Sequence, residues 1–452
     1  MALWAYCCAK INMLANDLKL TQNSYYAASA NEQPAYPKLQ DDIEADVCVV
    51  GGGFAGLSAA IELADRGYSV VVLEASHIGF GASGRNGGQL IAGLACEQEV
   101  IEKSIGYEAA KQVWGMSLEA LDLVRERVKR FDIKCDLADG FLGVAVNERK
   151  GAYLRQWYDD MVKRYQYDND AQWIEPNDIR QWIDSPRYYN GYFDKRGGHL
   201  HPLNYCLGLA SGADSLGVRI FQHSTVTSIQ KGETVHLQTE TGTVIAKFVV
   251  LAGNMYLPEV SPKLAPALAR RIMPVGTYII GTEPIEFNLV AKLIPTNSAV
   301  CDTNFILDYF RFSARTQSNG PRLIYGGRVS YSTITPPNLT EDMQARMIET
   351  FPQLANTKVD FTWGGFVDIT MNRAPDFGRV TPNVYYLQGF SGHGVALTGL
   401  AGKLVAEAIS GQAERLDLIA RIKHHDFPGG RLLRTPALVL GMAWYQLRDK
   451  LG

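Results

Sequence analysis

Six residues near the start of the chain, Gly51-Gly52-Gly53-Phe54-Ala55-Gly56, have the spacing G-x-G-x-x-G. Residues of these types bind the pyrophosphate of a dinucleotide, because Gly51 allows a tight turn, Gly53 lets the backbone approach the phosphates and Gly56 lets a helix pack closely on a strand. The first turn of that helix also offers free N–H groups and a positive dipole end. Glu74 follows Gly56 by eighteen residues, where an acid binds a pair of ribose hydroxyls and repels the 2′-phosphate of NADP.

The segments around this motif have the patterns of the elements that must position it. Residues 46–50, DVCVV, read as a short apolar strand that ends in the glycines. Residues 57–66 have apolar side chains at helical spacing, and residues 69–73 form a second buried strand that ends at Glu74. Strand, glycines, helix, strand and acid therefore occur in the order of a β-α-β unit with parallel strands. We interpret the motif as a dinucleotide-binding turn rather than a glycine-rich loop.

Two further glycine-rich runs favour FAD over NAD. Residues 79–89 form a small, polar run whose backbone N–H groups can approach an anion or a ring edge, although a flexible loop is the alternative interpretation. Residues 389–394, GFSGHG, lie between a predicted strand and a long predicted helix over residues 395–410. The positive end of that helix can stabilise the negative charge that gathers at N1 and C2=O of a reduced flavin.

Taken together, GGGFAG, Glu74-Ala75, GASGRNGGQ, VVLAGN and GFSGHG resemble the D-amino-acid oxidase superfamily of flavoproteins, and the resemblance extends from about Ser24 onward. It implies an α/β fold with a glutathione-reductase-like FAD-binding domain of the ββα-Rossmann type and an interleaved antiparallel-sheet substrate domain. The cysteine that binds flavin covalently in sarcosine-oxidase relatives has no recognisable counterpart here. We therefore expect noncovalent FAD.

The resemblance also implies which residues contact the cofactor. Val226 is expected on the adenine side and residues 392–397 at the pyrimidine edge of the flavin. The expected cofactor-binding residues are Gly51, Gly52, Gly53, Phe54, Ala55, Gly56, Glu74, Ala75, Ser83, Gly84, Arg85, Asn86, Gly87, Gly88, Gln89, Val226, Ala252, Gly253, Gly392, His393, Gly394, Val395, Ala396 and Leu397.

The order of predicted elements indicates that the chain leaves the first domain and returns to it twice. We expect an N-terminal arm over residues 1–43, extended over 23–39, and a C-terminal extension over residues 416–452. A discontinuous FAD-binding domain is predicted over residues 44–95, 196–255 and 360–415. The substrate-binding domain then comprises residues 96–195, mostly helical with a glycine-bearing interruption at Gly140 to Val146, and the strand-rich residues 256–359.

Two departures from amino-acid-oxidising relatives bear on the substrate. Val367 stands where those relatives often carry an arginine that binds the substrate carboxylate, and Ala396 stands where sarcosine-oxidase relatives have a lysine. The loss of both cations argues against a small α-amino acid, although Arg373 could bind an anion from another position. An amine whose reacting carbon lies far from a carboxylate, such as gamma-glutamylputrescine, fits better.

Several polar residues are candidates for substrate binding or catalysis. Arg311 and Arg328, on predicted strands, could bind a distant carboxylate, with a surface salt bridge as the slightly favoured alternative for either one. Tyr309 and Phe312 could line the pocket or belong to the core. His393 is the one candidate for a catalytic base, although a role in orienting the backbone around the flavin is favoured.

No metal site is predicted. His199 and His201 have the spacing of two residues on one strand face, but the sequence offers no third ligand.

These residues predict FAD-dependent oxidation of an amine C–N bond to an imine and then an aldehyde, with ammonia released and molecular oxygen reduced to hydrogen peroxide. The amine must react as the neutral base, and the motifs indicate no strong dedicated base. An FAD-dependent amine or amino-acid dehydrogenase that passes electrons to a quinone or a carrier protein is the alternative. A flavin-binding subunit without catalytic activity is a third possibility.

Composition limits the partners and the cellular locations that the protein can have. A formal net charge of −3 gives no basis for a nucleic-acid partner. Seven cysteines without paired CxxC spacing fit a reducing cytoplasm. The apolar run at residues 437–447 is too short to span a bilayer, and we interpret it as a helix docked on the protein, with contact to a membrane surface as the alternative. The sequence does not indicate the oligomeric state.

Overall fold

The structure, a computed structural model, describes residues 20–32, 35–314, 320–330 and 335–429. Its strands are β1 (Ile43–Val50), β2 (Val70–Leu73), β3 (Gln89–Leu90), β4 (Ala138–Ala145), β5 (Ala171–Ile174), β6 (Asn190–His199), β7 (Arg219–Phe221), β8 (Ser228–Gln230), β9 (Val235–Gln238), β10 (Thr243–Leu251), β11 (Met273–Thr282), β12 (Ala299–Asp302), β13 (Tyr309–Phe312), β14 (Leu323–Ser330), β15 (Val359–Ile369), β16 (Asp376–Thr381) and β17 (Val384–Gln388). Its α-helices are α1 (Tyr25–Ala28), α2 (Phe54–Asp65), α3 (Gln98–Ile105), α4 (Tyr107–Arg130), α5 (Glu148–Tyr165), α6 (Ile179–Trp182), α7 (Pro202–Ser215), α8 (Leu257–Val260), α9 (Phe287–Leu293), α10 (Leu339–Thr350), α11 (Gly394–Ile409) and α12 (Glu414–Ala420). Short 3-10 turns lie at Ala82–Gly84, Asn254–Tyr256, Leu268–Arg270 and Pro352–Leu354.

The first sheet is mainly parallel and has the strand order β16-β17-β10-β1-β2-β7, with β9 and β8 attached beside β10. Its central strand β1 pairs in parallel with β10 on one side and β2 on the other. Val47 and Val49 pack into the core cluster on one face, and Cys48 and Val50 pack into the cluster on the opposite face. Because both faces are buried at this end of the strand, residues 47–50 are apolar without interruption.

The predicted β-α-β unit is present, with α2 between the parallel strands β1 and β2. Helix α11 crosses α2 closely, since a Cβ atom on Gly402 would lie 2.4 Å from the backbone nitrogen of Ala59. Helix α11 is thus fixed against the helix that follows the glycine motif.

The second sheet has the strand order β15-β11-β14-β13-β12-β4-β6-β3, with β5 paired to β6. Its neighbours run antiparallel except for the pair β12 and β4. Most of its strands come from the two segments that the sequence assigns to the substrate domain. The prediction of an α/β fold with a Rossmann-like sheet and an interleaved antiparallel sheet is therefore confirmed.

Several local expectations are wrong. The predicted extended arm contains α1, whose Tyr25 and Tyr26 are buried, because these two rings pack against Phe361 and Trp363 of β15. The glycine-bearing interruption in the helical region is the full strand β4, which is followed by β5 and β6.

The predicted segments of the first domain include all of β3 and parts of β6 and β15, and these three strands pair in the second sheet. Strand β6 ends at His199 and β15 covers Val359–Ile369, so the starts of the predicted segments 196–255 and 360–415 fall within that sheet. The sequence pattern identifies a strand but not its partner, which explains the displacement.

The apolar run at residues 437–447 and the first nineteen residues lie outside the described residues. In the part of the chain that the structure describes, no helix combines the length and apolar character needed to cross a bilayer.

Candidate active site

The glycine motif forms a turn that leaves no room for a side chain at Gly51 or at Gly56. Gly51 has a φ of 116°, and a Cβ atom there would lie 2.7 Å from the carbonyl oxygen of Ala252. A Cβ atom on Gly56 would lie 2.0 Å from the carbonyl oxygen of Gly51. The turn therefore needs glycine at both positions, and Gly53 of this turn caps the start of α2.

Glu74 closes this turn at the end of β2. Its Oε2 accepts a hydrogen bond from the backbone nitrogen of Gly52 at 2.7 Å, and its Oε1 accepts one from Ser76 at 2.8 Å. Burial raises the pKa of the Glu74 carboxyl, while the backbone donors at Ser76 and Gly52 oppose that rise.

A cavity of about 290 Å³, here called the smaller cavity, opens at this point. It brings together predicted residues from five separate parts of the chain. Those in its wall are Gly51, Gly53, Glu74, Ala75, Ser83, Val226, Ala252 and Gly253. Gly52, Phe54, Ala55 and Gly56 do not line it; Phe54 and Ala55 pack into the core. Val226 lies just before β8 rather than within a strand.

A cavity of about 470 Å³, here called the larger cavity, adjoins the first, since Ala82 contributes to both walls. It lies between the glycine-rich run, the start of α11 and the second sheet. The predicted residues in its wall are Arg85, Asn86, Gly87, Gln89, Tyr309, Gly392, His393, Val395 and Ala396. Gly84, Gly88, Gly394 and Leu397 are not in the wall, and Leu397 belongs to the core.

Other residues of this wall were not among the predicted site residues. The cavity is also lined by alternate residues of two strands, Val275 and Thr277 on β11 and Gly327 and Val329 on β14. Alternate residues of a strand point to the same face of a sheet, so this pattern can be read from the sequence once it is known which face borders the cavity. Residues 304–307, which connect β12 to β13, also line it, and no sequence pattern marks them.

The loop over residues 85–89 is held from several sides. Trp363 Nε1 donates to the carbonyl oxygen of Arg85 at 3.1 Å, and Gln89 Nε2 donates to that of Val300 at 2.9 Å. Within the loop, the side-chain oxygen of Asn86 accepts from the backbone nitrogen of Gly88 at 2.7 Å. The predicted flexible-loop alternative therefore does not describe this segment.

Arg311 does not occupy the substrate-binding position expected of it. Its side chain is 2% exposed and lines neither cavity. Its Nε donates to the carbonyl oxygen of Gly87 at 2.8 Å, its Nη1 to that of Phe312 at 3.2 Å, and its Nη2 to the hydroxyl of Tyr26 at 3.1 Å. The assignment of Arg311 to the substrate is wrong, because the protein itself uses the guanidinium to support the 85–89 loop.

Arg328 is also displaced from the cavity. Its neighbours Gly327 and Val329 line the wall, and Arg328 projects instead toward α10, where its Nη2 lies 3.5 Å from Asp342 Oδ2. This is the surface ion pair that the sequence analysis favoured, so the assignment of Arg328 to the substrate is wrong as well. Tyr309 lies in the larger cavity, whereas Phe312 is a core residue.

Replacing Arg311 with methionine is expected to lower the free energy of unfolding by about 3 kcal/mol and to weaken FAD retention. The substitution removes a charged donor from buried acceptors, which costs more than the loss of one neutral hydrogen bond. Urea unfolding followed by circular dichroism, with flavin release measured in parallel, checks this. Arg328→Met is the matched control, because an exposed ion pair contributes about 1 kcal/mol or less. Equal losses in the two variants would contradict the support role.

His393 lies at the start of α11 and is in the wall of the larger cavity. Its Nε2 lies 3.1 Å from the carbonyl oxygen of Ile91, which can only accept, so this nitrogen carries the proton. Burial lowers the pKa of His393 below its usual value, so the ring is neutral at pH 7. This arrangement favours an orienting role over that of a base.

The two histidines of the GGHLHPLN segment do not share a strand face. His199 Nε2 donates to Asn297 O at 2.7 Å, whereas His201 caps α7 by accepting from the backbone nitrogen of Asn204 at 3.1 Å. Burial lowers the pKa of His201 to about 3. Within the described residues, no three His, Cys, Asp or Glu side chains are grouped to hold a metal ion.

The described wall of the larger cavity contains no aspartate or glutamate. Its charged residues are Arg85 and Arg373, and Val367 and Ala396 both contribute apolar surface to it. Such a wall disfavours a cation near the 85–89 loop and accepts an uncharged group there.

Residues 46–408 match the DAO family model, whose members are FAD-dependent oxidoreductases. The chain belongs to this family. Among DAO-family relatives, gamma-glutamylputrescine oxidoreductase of Escherichia coli K12 is 45% identical over 431 residues, covering 95% of this chain and 99% of that one. A probable oxidoreductase, OrdL, of Haemophilus influenzae is 41% identical, covering 94% and 97%.

Solved structures agree with the fold of a DAO-family oxidoreductase. Glycine oxidase from Geobacillus kaustophilus superposes with a TM-score of 0.67 at 20% identity, covering 82% of this chain and 95% of that one. L-Proline dehydrogenase from P. horikoshii gives 0.66 at 21% identity, covering 82% and 94%. Two features of the site fit the FAD that this family uses. One is the glycine turn, whose space a Cβ atom would fill, and the other is the acid at Glu74.

Proposed function

We propose that this FAD-dependent oxidoreductase oxidises the C–N bond of a primary amine whose reacting carbon lies far from any carboxylate, with gamma-glutamylputrescine as the representative substrate. The observation that carries the proposal is the wall of the larger cavity, which has apolar side chains at Val367 and Ala396 and no described carboxylate. A small α-amino acid with its carboxylate at Val367 and Ala396 would meet no charged side chain at either of these two positions. The E. coli relative supports the choice of representative substrate.

The cofactor would be held by residues of both cavities. The residues around Gly51, Glu74 and Val226 would bind the adenosine and the pyrophosphate, and the 85–89 loop with the start of α11 would bind the isoalloxazine. We propose that the FAD is noncovalent. Acid precipitation is expected to release all of the yellow colour into the supernatant.

The wall also favours the protonation state that the reaction requires. An alkyl ammonium with a pKa of about 10.4 needs roughly 4 kcal/mol to lose its proton near pH 7.4. A largely apolar cavity with no carboxylate among its described lining residues supports the neutral amine by disfavouring the charged form.

The proposed reaction is a two-electron oxidation of the amine. Bound FAD supplies a two-electron acceptor for the hydride equivalent from the carbon next to nitrogen. The nitrogen also loses a proton, and water converts the resulting imine to an aldehyde and ammonia. In the proposed reaction, molecular oxygen takes up the two electrons and two protons as hydrogen peroxide.

Anaerobic titration of the purified yellow protein is expected to bleach the flavin band with gamma-glutamylputrescine and not with glycine or sarcosine. The measurement is the absorbance near 450 nm during stepwise addition in the absence of oxygen. Bleaching by glycine alone would overturn the proposed substrate class. If none of the amines bleached the flavin, the proposed amine oxidation would be contradicted.

Reoxidation distinguishes an oxidase from a dehydrogenase. We expect aerated buffer to restore the oxidised spectrum within one turnover and to yield one hydrogen peroxide per amine. Slow reoxidation by air together with fast reoxidation by a quinone would assign a dehydrogenase instead.

The described cysteines are all free thiols, which supports the proposed cytoplasmic location.

A further inference from the structure

Three large apolar side chains are exposed around the mouth of the larger cavity. Phe305 is 42% exposed, Leu307 42% and Met371 50%. Phe305 and Leu307 line the cavity, and Met371 lies between the lining residues Ile369 and Arg373. Exposed apolar side chains clustered at a cavity mouth are typical of a surface that binds a ligand.

Arg373 lies in this mouth in an unusual backbone conformation. Its φ is 59°, in the left-handed region that non-glycine residues rarely adopt. The turn is fixed by the hydrogen bond from Arg373 N to Thr370 O at 3.1 Å and by the side chain of Asn372, which accepts from Ala374 N at 3.2 Å. The surrounding structure thus holds a strained residue in place, as is common where a side chain contacts a ligand.

The guanidinium of Arg373 is available to an anion. Its Cζ lies 5.9 Å from the centroid of the Phe305 ring, and no described carboxylate forms an ion pair with it. The other cation in the wall, Arg85, is only 5% exposed and lies 4.5 Å over the ring of Phe80, which belongs to the smaller cavity. Arg85 therefore faces the cofactor side, and Arg373 faces the entrance.

We propose that Arg373, Phe305 and Leu307 form an outer subsite that binds a carboxylate at the far end of an extended amine substrate. The inference rests on the proposed amine oxidation. The amine end reaches the 85–89 loop past the apolar Val367, while the aliphatic part of the tail packs on Phe305 and Leu307. Arg373 then selects substrates by the charge of the distal end, and it takes no part in the chemistry at the reacting carbon.

The test uses two substrates of equal length. N-Glutarylputrescine ends in a carboxylate, and its terminal amide ends in a neutral group of the same shape. In the wild-type protein we expect kcat/KM to be about tenfold higher for the carboxylate, since a hydrogen bond to a charged group is stronger than one to a neutral group.

Arg373→Gln is expected to remove this preference by raising KM for the carboxylate substrate. The kcat for that substrate and the kcat/KM for the amide should each change less than twofold. Arg270→Gln is the matched control, because Arg270 is exposed, lines neither cavity and carries the same charge. It is expected to retain the preference, which separates a local contact from general steering by charge. An unchanged flavin spectrum and melting temperature in both variants show that the fold is intact.

Two results would overturn the subsite. One is a wild-type protein that oxidises both substrates equally, and the other is an Arg373→Gln variant that keeps the preference for the carboxylate. Either leaves the proposed amine oxidation standing, because the amide is still oxidised. Failure of both substrates and of gamma-glutamylputrescine to bleach the wild-type flavin would overturn the proposed function, and the subsite with it.

Discussion

Protein in which Glu74 is replaced by lysine is expected to leave purification almost free of FAD. The carboxylate stands at the end of β2, where it accepts from Gly52 and Ser76 and borders the smaller cavity. Lysine offers no acceptor to a ribose hydroxyl and leaves the backbone nitrogen of Gly52 without its partner, a loss of about 3 kcal/mol or more. The dissociation constant for FAD should rise by at least 100-fold, which the ratio of flavin to protein absorbance and reconstitution titrations measure.

Two variants make this result specific. Glu74→Gln keeps one acceptor oxygen, so its affinity should lie between those of the wild type and Glu74→Lys. Glu44→Lys introduces the same change in charge at an exposed position of β1 and should retain its flavin. Normal flavin content in Glu74→Lys would contradict the placement of the adenosine half of the cofactor.

The value of kcat/KM for an alkyl amine is expected to rise about tenfold for each pH unit between pH 7 and pH 9. If the enzyme takes up the neutral amine, the reactive fraction of a substrate with a pKa of about 10.4 grows tenfold per unit in this range. The total rise over two units is then about 100-fold. Initial rates at low substrate concentration, in buffers of constant ionic strength, measure it.

The titratable residues of the cavity wall should add no step to this profile. Burial lowers the pKa of His393, so the ring is neutral throughout the range. Burial raises the pKa of Tyr309 and of the Cys301 thiol, so both stay protonated. A substrate with fluorine beside the amine carbon has a lower amine pKa, and its profile should level off at lower pH. A flat profile between pH 7 and pH 9 would show that the enzyme binds the ammonium form instead.

Much of the FAD-binding fold could be predicted because its signals are local. The turn at Gly51 to Gly56 and the acid at Glu74 lie within a single β-α-β unit, where spacing and apolar periodicity determine the geometry. The start of α11 is similar, since glycines mark the point at which a strand gives way to a helix. These features depend on residues that are close together in the sequence, so they can be recognised from one sequence alone.

The substrate side could not be predicted in the same way. Arg311 and Arg328 lie on strands that the sequence identifies, but which face of the sheet each side chain takes depends on partner strands elsewhere in the chain. The buried arm illustrates the same limit, because Tyr26 is enclosed by Trp363 of β15 and by Arg311 of β13. The sequence alone gives no sign of that contact, and a polar, proline-containing segment reads as an exposed one.

The parallel pairing of β1 with β10 joins residues that are far apart in the chain, such as Val47 and Phe248. A dinucleotide bound against Gly51 and Ala252, which follow directly after these two strands and line the smaller cavity, would tie early and late segments together and stabilise the folded chain by mass action. Production in riboflavin-starved cells should therefore yield less intact protein and faster degradation by proteases. Vitamin supply during expression becomes a determinant of yield.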